Sequence, residues 1–255
     1  MNQEENFLKG PSSRWKDFMG TLHIGSEFIK GFRKFHFLGP CVTVFGSARF
    51  TEEHPYYEEA REIGRAFAKR GFTIMTGGGP GIMEAANRGA KDVNGISVGC
   101  NIKLPEEQQP NPYMDELIGM DHFYVRKVLL VKYSYAFVVM PGGFGTMDEL
   151  FETLTLIQTK KIEGFPVVLV GKHYWSNLLE QVQSFKEHGT ISKGDDHLFW
   201  LTDSPREALN YVILALREKY QRDELKVITK RKWWFFESFT RPPHLKQVHT
   251  IDLSN

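Results

Sequence analysis

A chain of 255 residues with 41% hydrophobic and 25% charged residues has the balance of an ordinary globular protein, long enough for one large α/β domain with appendages. The formal net charge of +1 gives no global attraction for nucleic acid or an anionic membrane, and no run reaches the ~18 apolar residues of a membrane span. Cys41 and Cys100 sit in apolar, strand-like runs without zinc or disulfide spacing. They read as small core residues in a reduced, cytoplasmic compartment, with no metal and no cofactor. The acidic start Met-Asn-Gln-Glu-Glu-Asn is followed by no apolar leader core.

Residues 1–39 form an N-terminal arm in which Leu22, Ile24, Phe28, Ile29, Phe32 and Phe35 fit an amphipathic helix that packs on the main domain or on another subunit. Residues 40–220 form the main domain. Cys41–Phe45 is its first strand, and the loop Gly46-Ser47-Ala48-Arg49 leads to a helix over about 57–70. Phe72–Thr76 is a second strand, and Gly77-Gly78-Gly79-Pro80-Gly81 turns it into a helix whose Ala85, Ala86, Gly89 and Ala90 permit close packing. A third strand over 96–102 is followed by a polar, Pro-rich loop over 104–114, a candidate lid.

A strand over 117–123 then feeds a helix over 124–134 that carries Arg126 and Lys127 in its opening turn, where cations oppose the helix dipole unless an anion or carboxylate is near. Ala136–Met140 is a buried strand, stopped by Pro141-Gly142-Gly143-Phe144-Gly145. Met147, Leu150, Phe151, Leu154 and Ile157 continue as a helix. Strands over 165–171 and 198–201 and helices over 174–187 and 205–219 complete the domain. The rhythm defines an α/β fold, a Rossmann-like doubly wound parallel sheet with helices on both faces, plus the N-terminal helix and a C-terminal aromatic tail over 221–255. In the tail, Trp233, Trp234, Phe235 and Phe236 stand beside Lys230, Arg231 and Lys232. Docking on the domain or a neighbouring subunit suits them better than nucleic acid, since one short basic stretch in a near-neutral chain is a weak electrostatic footprint.

Ligands of such sheets sit beyond the carboxyl ends of the strands. The loops at Gly46–Arg49, Gly77–Gly81 and Pro141–Thr146 all follow strands and can line one crevice. Thr146 with Glu149 has capping-box spacing, which needs no chemistry at all. Three glycines within four residues go beyond that need and suit a backbone that a phosphate approaches closely at a helix N-terminus.

The Gly77-Gly-Gly-Pro-Gly-Ile-Met83 turn, Tyr124-Val-Arg-Lys127 and Pro141-Gly-Gly-Phe-Gly-Thr-Met-Asp-Glu149 together resemble the LOG family, the cytokinin riboside 5′-monophosphate phosphoribohydrolases, whose members have also been labelled possible lysine decarboxylases. The resemblance spans about 35–218, and the extra N-terminal helix is similar to the longer branch of the family. It implies hydrolysis of the N-glycosidic bond of a nucleoside 5′-monophosphate, AMP or an N6-modified AMP, to free base and ribose 5-phosphate. It implies catalytic roles for Arg126 and Glu149, and a phosphate-binding turn at Gly142, Gly143, Gly145 and Thr146. It further implies a homo-oligomer, a dimer or larger. Gly78, Gly79, Gly81, Ser47 and Lys127 join the candidate substrate-binding set. A non-catalytic nucleotide or molybdenum-cofactor carrier of the same superfold would keep the glycine turns without needing both charges. A pyridoxal-phosphate decarboxylase would need a Schiff-base lysine, which the sequence does not identify.

Overall fold

The computed structural model describes residues 3–11, 13–103, 109–226 and 250–254. The chain opens with α1 (Gln3–Leu8) and α2 (Arg14–Phe35), then runs β1 (Cys41–Phe45), α3 (Pro55–Lys69), β2 (Thr73–Thr76), α4 (Ile82–Lys91), β3 (Ser97–Ile102) and β4 (Glu116–Met120). It continues with α5 (Phe123–Tyr133), β5 (Ser134–Val139), α6 (Phe144–Gln158), β6 (Val167–Val170), α7 (Lys172–Glu187), β7 (Trp200–Thr202) and α8 (Pro205–Tyr220). Short strands β8 (Glu224–Lys226) and β9 (Thr250–Asp252) follow.

The strands β1 to β7 make one sheet in the order β4-β3-β2-β1-β5-β6-β7, and every pairing in it is parallel. This is the doubly wound sheet expected from the alternation of strands and helices. Because a strand's side chains alternate between faces, β1 and β5 build two cores at once. Val42, Val44, Ala136 and Val138 point into a layer closed by α3, α4 and α8. Cys41, Phe45, Phe137 and Val139 point into the opposite layer, with Phe35 of α2, Leu129 of α5, Leu150 of α6 and Trp175 of α7. Both cysteines are buried and unpaired thiols, in keeping with their reading as small core residues.

The small residues of α4 act as expected. A Cβ on Gly89 would stand 1.9 Å from Arg61 O, and one on Gly64 would stand 2.1 Å from Ala86 O, so α3 and α4 touch backbone to backbone.

Three expectations shift. The arm helix begins at Arg14, a full two turns before its legible apolar pattern, and Ser13 caps it by accepting from Lys16 N. The capping box at Thr146 does not form: α6 begins at Phe144, its cap is Gly143 with extended backbone and no side-chain cap hydrogen bond, and Thr146 lies inside the first turn. The expected tail returns to the domain, because β8 and β9 pair antiparallel and Leu225, Ile251 and Leu253 are buried in the α3–α8 core. The aromatic part of that tail, and residues 104–108 of the expected lid, lie outside the described residues. No helix among the described residues is long and apolar enough to cross a membrane.

Candidate active site

The strand order reverses direction between β1 and β5, the place where doubly wound sheets open a crevice at their carboxyl ends. The loops leaving both strands are tied there by Ser47 N, which donates to Pro141 O at 2.9 Å. A cavity of about 560 Å³ lies between them, lined among others by Ser47, Arg49, Met83, Arg126, Thr146 and Glu149, together with Gly143, Phe144 and Gly145. That size suits a small organic ligand.

The floor carries an acid and a cation. Glu149 projects from the second turn of α6 and is 3% exposed. Arg126 reaches across from α5, held by Nε donating to Cys100 O at 2.9 Å, and its Nη1 stands 3.5 Å from Glu149 Oε1. Its guanidinium also lies over Gly77, where a Cβ would come within 2.9 Å of Nη2. Arg126 is therefore not a surface ion pair: its side chain is 13% exposed, and its awkward place in a helix's opening turn is relieved by the facing carboxylate.

Glu149 is more perturbed. Burial pushes its carboxyl up to about 7, against the opposing pull of Arg126 and Lys127. Its Oε2 is buried without a hydrogen-bond partner. A group that changes charge near neutrality, with one oxygen free, can take or hold a proton at that oxygen.

Beside this pair, the start of α6 has no side-chain cap. The opening N–H groups of a helix have no partners within it, and with the positive end of the dipole they suit an anion. Gly143, Phe144 and Gly145 bring this helix start to the cavity wall. Gly142 stands just behind, and a Cβ there would fall 2.1 Å from Thr146 Oγ1. The turn is braced by Tyr174, whose hydroxyl donates to Gly142 O at 2.7 Å.

Of the sequence-derived candidates, Ser47, Arg126, Gly143, Gly145, Thr146 and Glu149 share the cavity wall, and Gly142 supports it. The others stand outside. Gly78 and Gly79 direct their carbonyls to Asn111, which donates from its backbone N and its Nδ2 at 3.0 and 2.9 Å. Gly81 caps α4, next to Ile82 N, which donates to Ser47 O at 3.0 Å. Lys127 turns away to Asp148 Oδ1 at 2.7 Å and Glu152 Oε2 at 2.9 Å, so Asp148 acts as its ion-pair partner rather than only as dipole compensation. Met83, Phe144 and Tyr174 were not singled out from the sequence. Phe144, 96% exposed at the cavity lip, stands between Gly143 and Gly145 of the glycine turn and could have been found there.

Fold and site together define a doubly wound α/β protein with a charged crevice at its topological switch point, walled by an uncapped helix start. The chain belongs to the family described as "Possible lysine decarboxylase", which matches residues 83–212, and this bears out the resemblance to the LOG family. A probable cytokinin riboside 5′-monophosphate phosphoribohydrolase of Oryza sativa subsp. japonica is 28% identical over 202 residues, covering 75% of this chain and 78% of that one. The cytokinin riboside 5′-monophosphate phosphoribohydrolase of Mycobacterium tuberculosis is 41% identical over 100 residues, covering 38% of this chain and 54% of its own. Among solved structures, the molybdenum cofactor binding protein of Rippkaea orientalis superposes with a TM-score of 0.53 at 25% identity, over 70% of this chain and 97% of that one.

Proposed function

We propose that this protein hydrolyses the N-glycosidic bond of a nucleoside 5′-monophosphate, releasing the free base and ribose 5-phosphate, with AMP or an N6-modified AMP as substrate. The observation that carries the reading is the buried Arg126–Glu149 pair beside an uncapped helix N-terminus in one cavity. Breaking this bond develops positive charge on the sugar and negative charge on the leaving base. Glu149 supplies the negative charge. In its ionised form Oε2 accepts a proton from the attacking water as the water oxygen bonds to the anomeric carbon, and the bond to the base nitrogen breaks with its electron pair going to the base. Arg126 stabilises that departing charge electrostatically, since a guanidinium hardly gives up its proton. The N–H groups at the start of α6 hold the 5′-phosphate and so fix the sugar against Glu149.

A carrier role rests on the shared fold, and a carrier has no use for a desolvated carboxylate facing an arginine. The decarboxylase label finds no lysine among the described residues that line the cavity. Two buried free thiols support a reduced, cytoplasmic setting, and the exposed Trp15, Phe18, Leu22 and Ile29 of α2 support self-association as a dimer or larger.

The test is release of adenine from AMP, with adenosine as the control. The intact protein releases adenine from AMP and much less from adenosine, and Glu149→Ala and Arg126→Ala each lose at least ~100-fold in kcat/KM while staying folded. Equal turnover of AMP and adenosine would remove the phosphate from the mechanism. Full activity in Glu149→Ala would remove the glutamate.

A further inference from the structure

Away from the cavity, a second set of chemistry-bearing side chains meets where α2 crosses the junction of β4 and α5. His23 and Glu27 are one helical turn apart and so share one face of α2. His122, the residue before α5, faces them. One donor atom from each of the three lies within 4.8 Å of the others. Glu27 is 5% and His122 2% exposed, whereas the His23 side chain is 36% exposed and opens the cluster to solvent.

The surroundings are built to hold these donors. Glu27 Oε1 accepts from Asp121 N at 2.5 Å, which leaves Oε2 facing His122 Nδ1 at 2.5 Å. Asp121 Oδ2 stands 3.2 Å from His23 Nε2 and orients that ring, and Glu4 Oε1 accepts from Phe123 N at 3.1 Å. Glu4, Glu27 and Asp121 bring three carboxylates to this junction. Lys103, whose Nζ is 2.8 Å from Asp121 Oδ1, supplies one fixed positive charge.

We propose that His23, Glu27 and His122 form a binding site for one zinc-class divalent transition-metal ion, which clamps α2 onto the start of α5. Two imidazoles and one carboxylate make a nitrogen-oxygen donor set typical of zinc, with a solvent-facing position left for water. A hydrogen-bonded Glu27–His122 pair alone would explain two of the residues. It does not explain why His23, held by its own carboxylate, points a donor into the same pair, and outer carboxylates that orient metal-bound histidines are the usual companions of such ligands. The role is structural with a reach to the cavity. His122 O accepts from Arg126 N at 3.2 Å, so fixing His122 fixes the turn that carries the arginine.

The experiment uses the full chain, stripped with a chelator and freed of it, then titrated with zinc sulfate by calorimetry and with cobalt(II) by visible absorbance. The expected result is one ion per chain, a rise in Tm on adding zinc, and a d–d absorption of tetrahedral or five-coordinate intensity with cobalt. His23→Ala, at a half-exposed position, leaves the fold intact and weakens binding by at least ~100-fold, while Asp121→Asn weakens it ~10–100-fold. His197→Ala, at an exposed histidine, leaves binding unchanged. Absence of a one-to-one site in the intact chain, or unaltered affinity and cobalt spectrum in His23→Ala, overturns the proposal.

Discussion

Replacing Glu149 by Gln removes a charge that the fold desolvates, and the consequence is a stability difference that depends on pH. Burial lifts the carboxyl from 4.5 to about 7, so the folded chain binds this proton more tightly than the unfolded chain does. The resulting stabilisation is fully present below the unfolded value and is lost as pH rises through the folded one. A rise of that size corresponds to roughly 3 kcal/mol at ~1.4 kcal/mol per tenfold change, of which roughly 2.5 kcal/mol falls between about pH 5 and about pH 8. Glutamine has no proton to lose. Guanidinium unfolding of both proteins at the two pH values should therefore show Glu149→Gln gaining roughly 2.5 kcal/mol on the wild type as pH rises. The variant should be inactive toward AMP at both. A stability difference that stays flat within about 0.5 kcal/mol, or that moves the other way, would mean that Glu149 is not held in a desolvated state, and the proton-accepting role built on it would fall.

Three further outcomes follow from named contacts. Gly89→Ala forces a Cβ to within 1.9 Å of Arg61 O and should cost roughly 3 kcal/mol or more as α3 and α4 separate, read from the unfolding midpoint. Gly142→Ala puts a Cβ 2.1 Å from Thr146 Oγ1; it should raise KM for AMP more than it lowers kcat, and calorimetry should show weaker AMP binding. Lys127→Met removes a cation that holds Glu149 down without touching the cavity wall, so the rising limb of the pH–rate profile should move to higher pH. An unmoved limb would show that Glu149 ionisation does not control the rate.

The sheet was legible because its central strands β1, β2, β5 and β6 are almost wholly buried and read as short runs dominated by apolar and β-branched residues, each followed closely by glycine. The start of α2 was missed although Trp15, Phe18 and Met19 extend the helical spacing of Leu22 backwards; in the structure these side chains are exposed and add nothing to the core. Thr146 misled because a capping-box spacing counts residues, while Gly143 ends the extended segment and starts the helix three residues earlier. The β8–β9 pairing joins two segments near opposite ends of the tail, and no local pattern reports it. Glu149 was visible within its motif, but its approach to Arg126 depends on β3 and β5 lying on opposite sides of β1 and β2. The His23, Glu27 and His122 donors were invisible for the same reason: Glu27 and His122 are 95 residues apart, far beyond the spacings that mark metal motifs in sequence.

Two of the costs in this fold lie where the chemistry is proposed. A desolvated carboxylate near neutrality is unfavourable by roughly 3 kcal/mol above pH 7, and a helix start capped by Gly143 rather than by a capping side chain forgoes about a few tenths of a kcal/mol. Neither is fully relieved by the chain itself: Arg126 meets Glu149 Oε1 at 3.5 Å but Oε2 has no hydrogen-bond partner, and α6 has no side-chain cap. A phosphate at the helix start would satisfy its open N–H groups, and positive charge growing on a sugar beside Glu149 would offset the carboxylate's lost hydration. The first gain comes on binding and the second only as the bond breaks. In the proposed reaction the helix start would therefore act on affinity and Glu149 on rate, which is the division a hydrolase for phosphorylated nucleosides needs.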